Sequence, residues 1–131
     1  MTRPKDLIKY WTDSADIDFK AMDDLFKNGH YMWSLFMGHL VLEKLLKAYY
    51  IKNINTSFPY THDLYQIAEK SGLELSEAQK DFLDEVTTFN IKARYPDYKH
   101  RFYKKAGKSF ANAYFQKMKE FRLWLLERII V

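Results

Sequence analysis

Tyr31–Ile51 reads YMWSLFMGHLVLEKLLKAYYI, and the reading of this stretch decides the fold. Leu35, Gly38/His39, Leu42, Leu45/Leu46 and Tyr49 recur at steps of three and four, the period of an α-helix and not of a strand. The stretch stays close to apolar all round until Glu43, Lys44 and Lys47. A helix with so little polar face must be covered by neighbours, so this segment is expected to be the central helix of a bundle.

The flanking sequence supplies the covers. A first helix is expected from about Pro4 to Phe26, with Pro4 suited to a first turn and an apolar seam of Ile8, Trp11, Ala15, Met22 and Leu25. Asp18 fills the slot that seam leaves open between Ala15 and Met22. Asn28-Gly29 ends this helix, because both residues tolerate a left-handed backbone. After the central helix, residues 53–60 are turn formers, and Thr61 is a candidate N-cap for a short helix through Lys70, with Asp63 in its first turn. Ser76-Glu77-Ala78-Gln79 has capping-box spacing, opening a helix from about Glu77 to Lys92 that Tyr95-Pro96-Asp97 should stop. Residues 92–108 are then expected as a basic loop. A last helix from about Ser109 to Ile130 repeats Phe110, Tyr114, Met118, Phe121, Leu125 and Ile129. The fold expected is all-α: an antiparallel up-and-down bundle of four long helices plus one short helix, in one domain spanning 1–131. Its core should hold Trp11, Met22, Leu35, Leu42, Leu46, Phe121 and Leu125.

Composition agrees with this and narrows the function. A chain of 131 residues buries roughly two thirds of its unfolded surface, and 47% hydrophobic residues suffice for a core rich in rings. Only three valines and little alternation speak against sheet. The absence of cysteine removes disulfides, thiolate nucleophiles and cysteine metal sites. Met1 to Asp6 lacks the apolar stretch of a signal peptide, and the apolar runs are broken by charge, so no membrane span and a cytoplasmic location are expected.

The net charge of +4 is unevenly placed. Residues 92–108 carry seven cations (Lys92, Arg94, Lys99, Arg101, Lys104, Lys105, Lys108) against Asp97 alone, a local +6 that leaves the rest of the chain at −2. Concentrated positive charge points to an anionic partner at one place. Tyr95, Tyr98, Phe102 and Tyr103 are interleaved with it. Such rings either stack on the bases of a single strand or fold back onto the bundle.

Several pieces, in order, resemble one family. They are Trp11-x3-Ala15-x2-Asp18-x3-Met22-x2-Leu25 followed by Gly29-x-Tyr31, then Glu43-Lys44-Leu45-Leu46-Lys47-Ala48, then Thr61-His62-Asp63-Leu64, and finally Ala93-Arg94-Tyr95-Pro96-Asp97. In this spacing, over roughly residues 11 to 97, the chain is similar to the HEPN domain, named for higher eukaryotes and prokaryotes and for nucleotide binding. The resemblance implies a helical bundle that usually forms a homodimer, often encoded beside a minimal nucleotidyltransferase as a toxin–antitoxin pair. Catalytic members are metal-independent endoribonucleases with an Arg-x(4–6)-His motif, and Arg94 and His100 fit that spacing. Two features depart from the active pattern. Tyr95 follows the arginine where a small polar residue is usual, and Phe102, not tyrosine, lies two after the histidine, with Tyr103 one later.

The chemistry of these residues suits RNA cleavage. Histidine titrates near neutrality and can move the proton of a 2′-hydroxyl or leaving oxygen. Arginine presents a fork of donors to phosphate oxygens. We therefore take Arg94 and His100 as the candidate catalytic pair, and Lys99, Arg101, Lys104, Lys105, Tyr98 and Tyr103 as candidate RNA or anion contacts. Asp18 on an apolar seam needs a cation, and Lys47 or Arg94 are the partners considered, either structurally or in support of the site. Glu43 and Lys47 are spaced as a helix-stabilising pair. His39 reads as a core histidine, since His39-x3-Glu43 lacks the further ligands of a metal site, and His62 as an organiser of its helix start. Gly107-Lys108-Ser109 mimics a P-loop tail, but position 102 is Phe and no strand precedes it. No metal and no cofactor are expected. Three functions follow: a ribonuclease toxin with a nucleotidyltransferase partner, a non-catalytic nucleotide- or partner-binding subunit of such a system, or a bare helical dimerisation module.

Overall fold

In the computed structural model, which describes residues 3–130, six α-helices and no strand are found among the described residues: α1 (Pro4–Lys27), α2 (Tyr31–Asn53), α3 (Leu64–Lys70), α4 (Glu77–Arg94), α5 (Pro96–Lys105) and α6 (Lys108–Ile130). None of these helices is long and apolar enough to cross a membrane. The helix α2 touches each of the other five, as its lack of a polar face requires. Its buried residues lie on every side: Leu35, Val41, Leu42, Leu45, Leu46 and Ala48 are almost wholly covered. A Cβ added at Gly38 would run into the thioether of Met118 and the end of Met22, so the glycine lets α1 and α6 close on α2.

Most local signals behave as their chemistry demands. Gly29 takes φ +80 after the Asn28 cap of α1. The capping box of α4 is complete: Gln79 N–H donates to Ser76 Oγ at 3.1 Å, and Ser76 N–H donates to Gln79 Oε1 at 2.9 Å. The short helix starts later than expected. Asp63, not Thr61, is the N-cap, accepting from Gln66 N–H, while Thr61 Oγ1 accepts from Asp63 N–H one turn earlier. Met22, Leu35, Leu42, Leu46, Phe121 and Leu125 are buried as expected. Trp11 is a correction, because it lies only partly buried at the edge of the core, edge-on to Phe58.

The largest departure falls between the last two long helices. Residues 96–105 are a helix, not a loop. Pro96 does end α4, since the residue before a proline is pushed out of the α region and Tyr95 is extended at φ −97, ψ 129. Proline also suits the first turn of a new helix, with Asp97 favourable beside it. Phe102 and Ala106, one turn apart, turn inward, and Phe102 stacks on the buried Phe89 with ring centres 5.3 Å apart. That pair is the apolar anchor holding α5 against the bundle.

Because α2 is enclosed, most of its buried polar groups are engaged from outside the helix. Ser34 Oγ donates to the carbonyl of Met22 at 2.9 Å. Lys44 Nζ lies 2.6 Å from Asp18 Oδ2 and donates to Ser14 Oγ at 2.8 Å. Asp18 is thus half-buried and paired, but with Lys44 and not with Lys47 or Arg94. Lys47 serves Glu43 instead, donating to its Oε2 at 2.9 Å, and lies near the faces of Trp11 and Phe58. The other oxygen of the buried Glu43 accepts from His62 Nδ1–H at 2.7 Å. His39 Nε2–H donates to the His62 carbonyl at 2.9 Å, while its Nδ1 has no partner among the described residues. His62 therefore ties the chain before α3 to α2 through both its ring and its carbonyl.

Burial acts on this cluster in two ways. It raises the Glu43 carboxyl, but hydrogen bonds from His62 and Lys47 outweigh it and hold the group below its usual value. Burial dominates at His39 and holds the imidazole below the ordinary histidine value despite its bond to the His62 carbonyl and the nearby Glu43 charge. Both groups are thus depressed, so each contributes stability above its unfolded pKa and loses it as pH falls. Thermal melts should show a decline beginning as pH drops through about 6.5, where an unfolded histidine takes up its proton, and a further one below about 4.3 from Glu43. His39→Gln should flatten the first decline. A wild-type melting temperature unchanged between neutral pH and pH 5.5 would contradict this account.

The Asp18–Lys44 pair joins α1 to α2 with side chains 15% and 23% exposed. It lies between a surface pair, typically worth under about 1 kcal/mol, and a fully buried one, whose breakage costs about 3–5 kcal/mol. Asp18→Ala should therefore destabilise by about 1–2 kcal/mol in denaturant unfolding, and adding Lys44→Met should recover part of the loss. Equal stability of Asp18→Ala and wild type would remove the pair from the forces that hold α1.

Candidate nucleic-acid interface

The bend at Tyr95 divides the basic segment between two helices and sends its charges outward. Lys92 and Arg94 occupy the last turn of α4, Lys99, Arg101, Lys104 and Lys105 lie on α5, and Lys108 begins α6. With Phe102 and Ala106 taking the inward face, the charged side chains of α5 are left exposed. None of the ion pairs among the described residues involves residues 92–108. Elsewhere many of the cations are paired: Lys9, Lys20, Lys27 and Lys80 with acids on their own helix, and Arg122 with Asp16 on α1 at 3.2 Å. An excess of like charge on one bend raises the potential there and favours an anion.

The aromatic rings divide by role. Phe102 belongs to the core, whereas Tyr95, Tyr98 and Tyr103 are at least half exposed. Two cations rest on rings: Lys99 Nζ is 4.8 Å from the centre of Trp33, and Lys105 Nζ is 5.3 Å from that of Phe110, distances at which a ring face attracts a cation. Two shallow hollows flank α5. One, of about 320 Å³, is lined by Met32, Lys99, His100 and Tyr103. The other, of about 170 Å³, is lined by Lys92, Tyr98, Arg101, Phe102 and Lys105.

Arg94 and His100 lie on opposite sides of the Tyr95–Pro96 bend, both exposed. His100 faces the first hollow, and Arg94 lines neither. Neither side chain makes a hydrogen bond or ion pair among the described residues, so within one chain the guanidinium and the imidazole are unrestrained. Lys104, on the crest of α5, is also exposed and lines neither hollow. Asp18 and Lys47 are spent on Lys44 and Glu43, which makes them supports of the bundle and not of this surface. The Trp33 and Met32 contributions from the start of α2 escaped the sequence reading. Only the folded arrangement brings residues 32–33 against residues 99–103, and no local pattern announces it. Gly107-Lys108-Ser109 follows a helix and opens another, so it has no resemblance to a strand-to-helix phosphate loop.

A family model described as HEPN domain matches residues 8–129, nearly the whole chain and all six helices in large part. No curated protein and no solved structure matches it. The match extends well beyond the motif-bearing residues 11–97 and takes in the basic bend and α6. The chain belongs to the HEPN domain family.

Proposed function

We propose that this HEPN protein acts on RNA as a metal-independent endoribonuclease centred on Arg94 and His100, working in the cytoplasm as the toxin of a pair with a minimal nucleotidyltransferase. The observation that carries the reading is the run of seven cations, none with a carboxylate partner among the described residues, around a solvent-facing histidine. In the mechanism, His100 moves the proton of the attacking 2′-hydroxyl or of the leaving oxygen. Arg94 neutralises charge that develops on the phosphorane. Lys104, Lys105 and Arg101 hold the flanking phosphates. Tyr103, which shares the hollow with His100, takes the place of the tyrosine that active relatives carry two residues after the histidine, because Phe102 is committed to the core.

A second reading has an observation of its own. No carboxylate orients His100, in contrast to His62, whose Nδ1–H is held by Glu43 at 2.7 Å. An imidazole without such a partner favours a nucleotide- or partner-binding subunit, unless a second copy completes the centre. A homodimer with both bends at its interface is the arrangement the enzymatic reading requires.

Incubation of purified protein with single-stranded and structured RNA in EDTA separates these readings. His100→Ala should abolish cleavage while leaving RNA affinity nearly intact, and Arg94→Ala should weaken both. Lys105→Ala should lower affinity and reduce its salt dependence by roughly one counterion's worth. Cleavage equal in wild type and His100→Ala would remove His100 from the reaction, and binding without cleavage would favour the subunit reading. Sedimentation at micromolar concentration should give a dimer. A clean monomer of 15.8 kDa would count against a shared centre.

A further inference from the structure

The two flanks of α5 differ in chemistry, and the difference assigns them different parts of one ligand. Tyr98, Arg101 and Lys105 follow one another at steps of three and four and, with Lys92, make a flank of three cations. Lys99 and Tyr103, one turn apart, make the opposite flank with His100 and the buried Met32. Here the one lysine already rests on the face of Trp33, and the rest of the lining is the Met32 thioether chain, the His100 imidazole and the Tyr103 ring. Tyr103 is 65% exposed, and its ring forms one wall of the hollow. A shallow hollow with one exposed aromatic wall suits a π-face, while the cationic flank suits phosphate.

We propose that the hollow between the start of α2 and α5, bounded by Met32, Lys99, His100 and Tyr103, is a nucleobase subsite. It takes one unpaired base against Tyr103 while the strand's phosphates follow Lys92, Arg101 and Lys105 over α5. This rests on the RNA reading above and adds to it the form of substrate: a single strand, because a base held in a duplex reaches the hollow only at the cost of unpairing and unstacking. The about 320 Å³ of the hollow falls at the small end of ligand pockets and has room for a base. Its position next to His100 puts the bound base beside the residue assigned to proton transfer. The subsite thereby selects which nucleotide is presented.

The test is fluorescence anisotropy in EDTA with a labelled 2′-O-methyl oligonucleotide, which cannot be cut through its 2′ position. Four probes are used: the single strand, its duplex, a strand of the same length built from abasic units, and AMP as competitor. Wild type should prefer the single strand to both the duplex and the abasic strand. Tyr103→Ala should bind the single strand roughly five- to a hundredfold more weakly, the loss of one stacked base, with its salt dependence unchanged. Tyr103→Phe should restore affinity, and the abasic strand should bind wild type and Tyr103→Ala equally. Lys105→Ala should do the reverse, lowering the salt dependence for every strand alike. Competition by AMP that is lost in Tyr103→Ala would extend the subsite to free nucleotides. Absence would confine it to strands. If Tyr103→Ala binds the single strand as wild type does, or weakens the abasic strand equally, the subsite is wrong although the RNA reading stands. If wild type binds no strand at all, the RNA reading fails and the subsite fails with it.

Discussion

A helix covered on every side has nowhere to send its polar side chains, and this constraint on α2 organises the molecule. Ser34, His39 and Glu43 are buried within it, and Lys44 and Lys47 are largely so. A buried donor, acceptor or charge left alone is costly, so Lys47 turns to Glu43 on the same helix and the others are met largely from outside it. The carbonyl of Met22 and the side chains of Ser14 and Asp18 on α1 meet Ser34 and Lys44. The chain ahead of α3 meets His39 and Glu43 through the two ends of His62. These contacts are directional where apolar packing is not. They fix the register of α1 along α2 and hold the approach to α3 in place.

The same economy explains why the basic bend is different. On α1 and α4, cations find acids three or four positions away on their own helix, the spacing at which helix side chains meet. Along residues 92–108 the only acid is Asp97, and most of the rest is positive or aromatic. With Phe102 and Ala106 fixing the inward face, geometry forces the cations outward, where no part of the bundle neutralises them. Like charges crowded on one turn oppose the folded state slightly, and an anion relieves that repulsion. The surface is therefore electrostatically incomplete without a ligand, whereas both carboxylate oxygens of Glu43 are met by cations or donors of the chain itself. The sequence places a histidine in each setting. His39 and His62 are tied into the bundle by hydrogen bonds, whereas the exposed His100 stands among the cations.

Much was legible from residues 31–51 alone. An apolar stretch of helical period without a polar face implied a central helix and hence an all-α bundle, and the Asn-Gly and Ser-x-x-Gln signals gave the ends of α1 and the start of α4. These are short-range effects, set by backbone preferences and by side chains reaching three or four residues. What was misread lay at the next scale. Pro96 was read only as a stop, although the property that ends one helix also begins another. The inward pair Phe102 and Ala106 was hidden in a run of lysines, because two apolar residues are too few to show a period. Asp18 on an apolar seam needs a cation, but the sequence points to Lys47 or Arg94 and only packing selects Lys44.

By itself, then, the sequence determined the helical period, the caps, the central position of α2 and the concentration of charge at 92–108, since each follows from neighbours along the chain. The tertiary structure alone decided that Asp18 takes Lys44, that Glu43 takes His62 from nineteen positions away, and that Met32 and Trp33 stand beside Lys99, His100 and Tyr103. The reason is physical. Contacts between distant segments depend on how helices cross and which rotamers the crossing admits, and those are properties of the packed core as a whole, not of any stretch of residues within it.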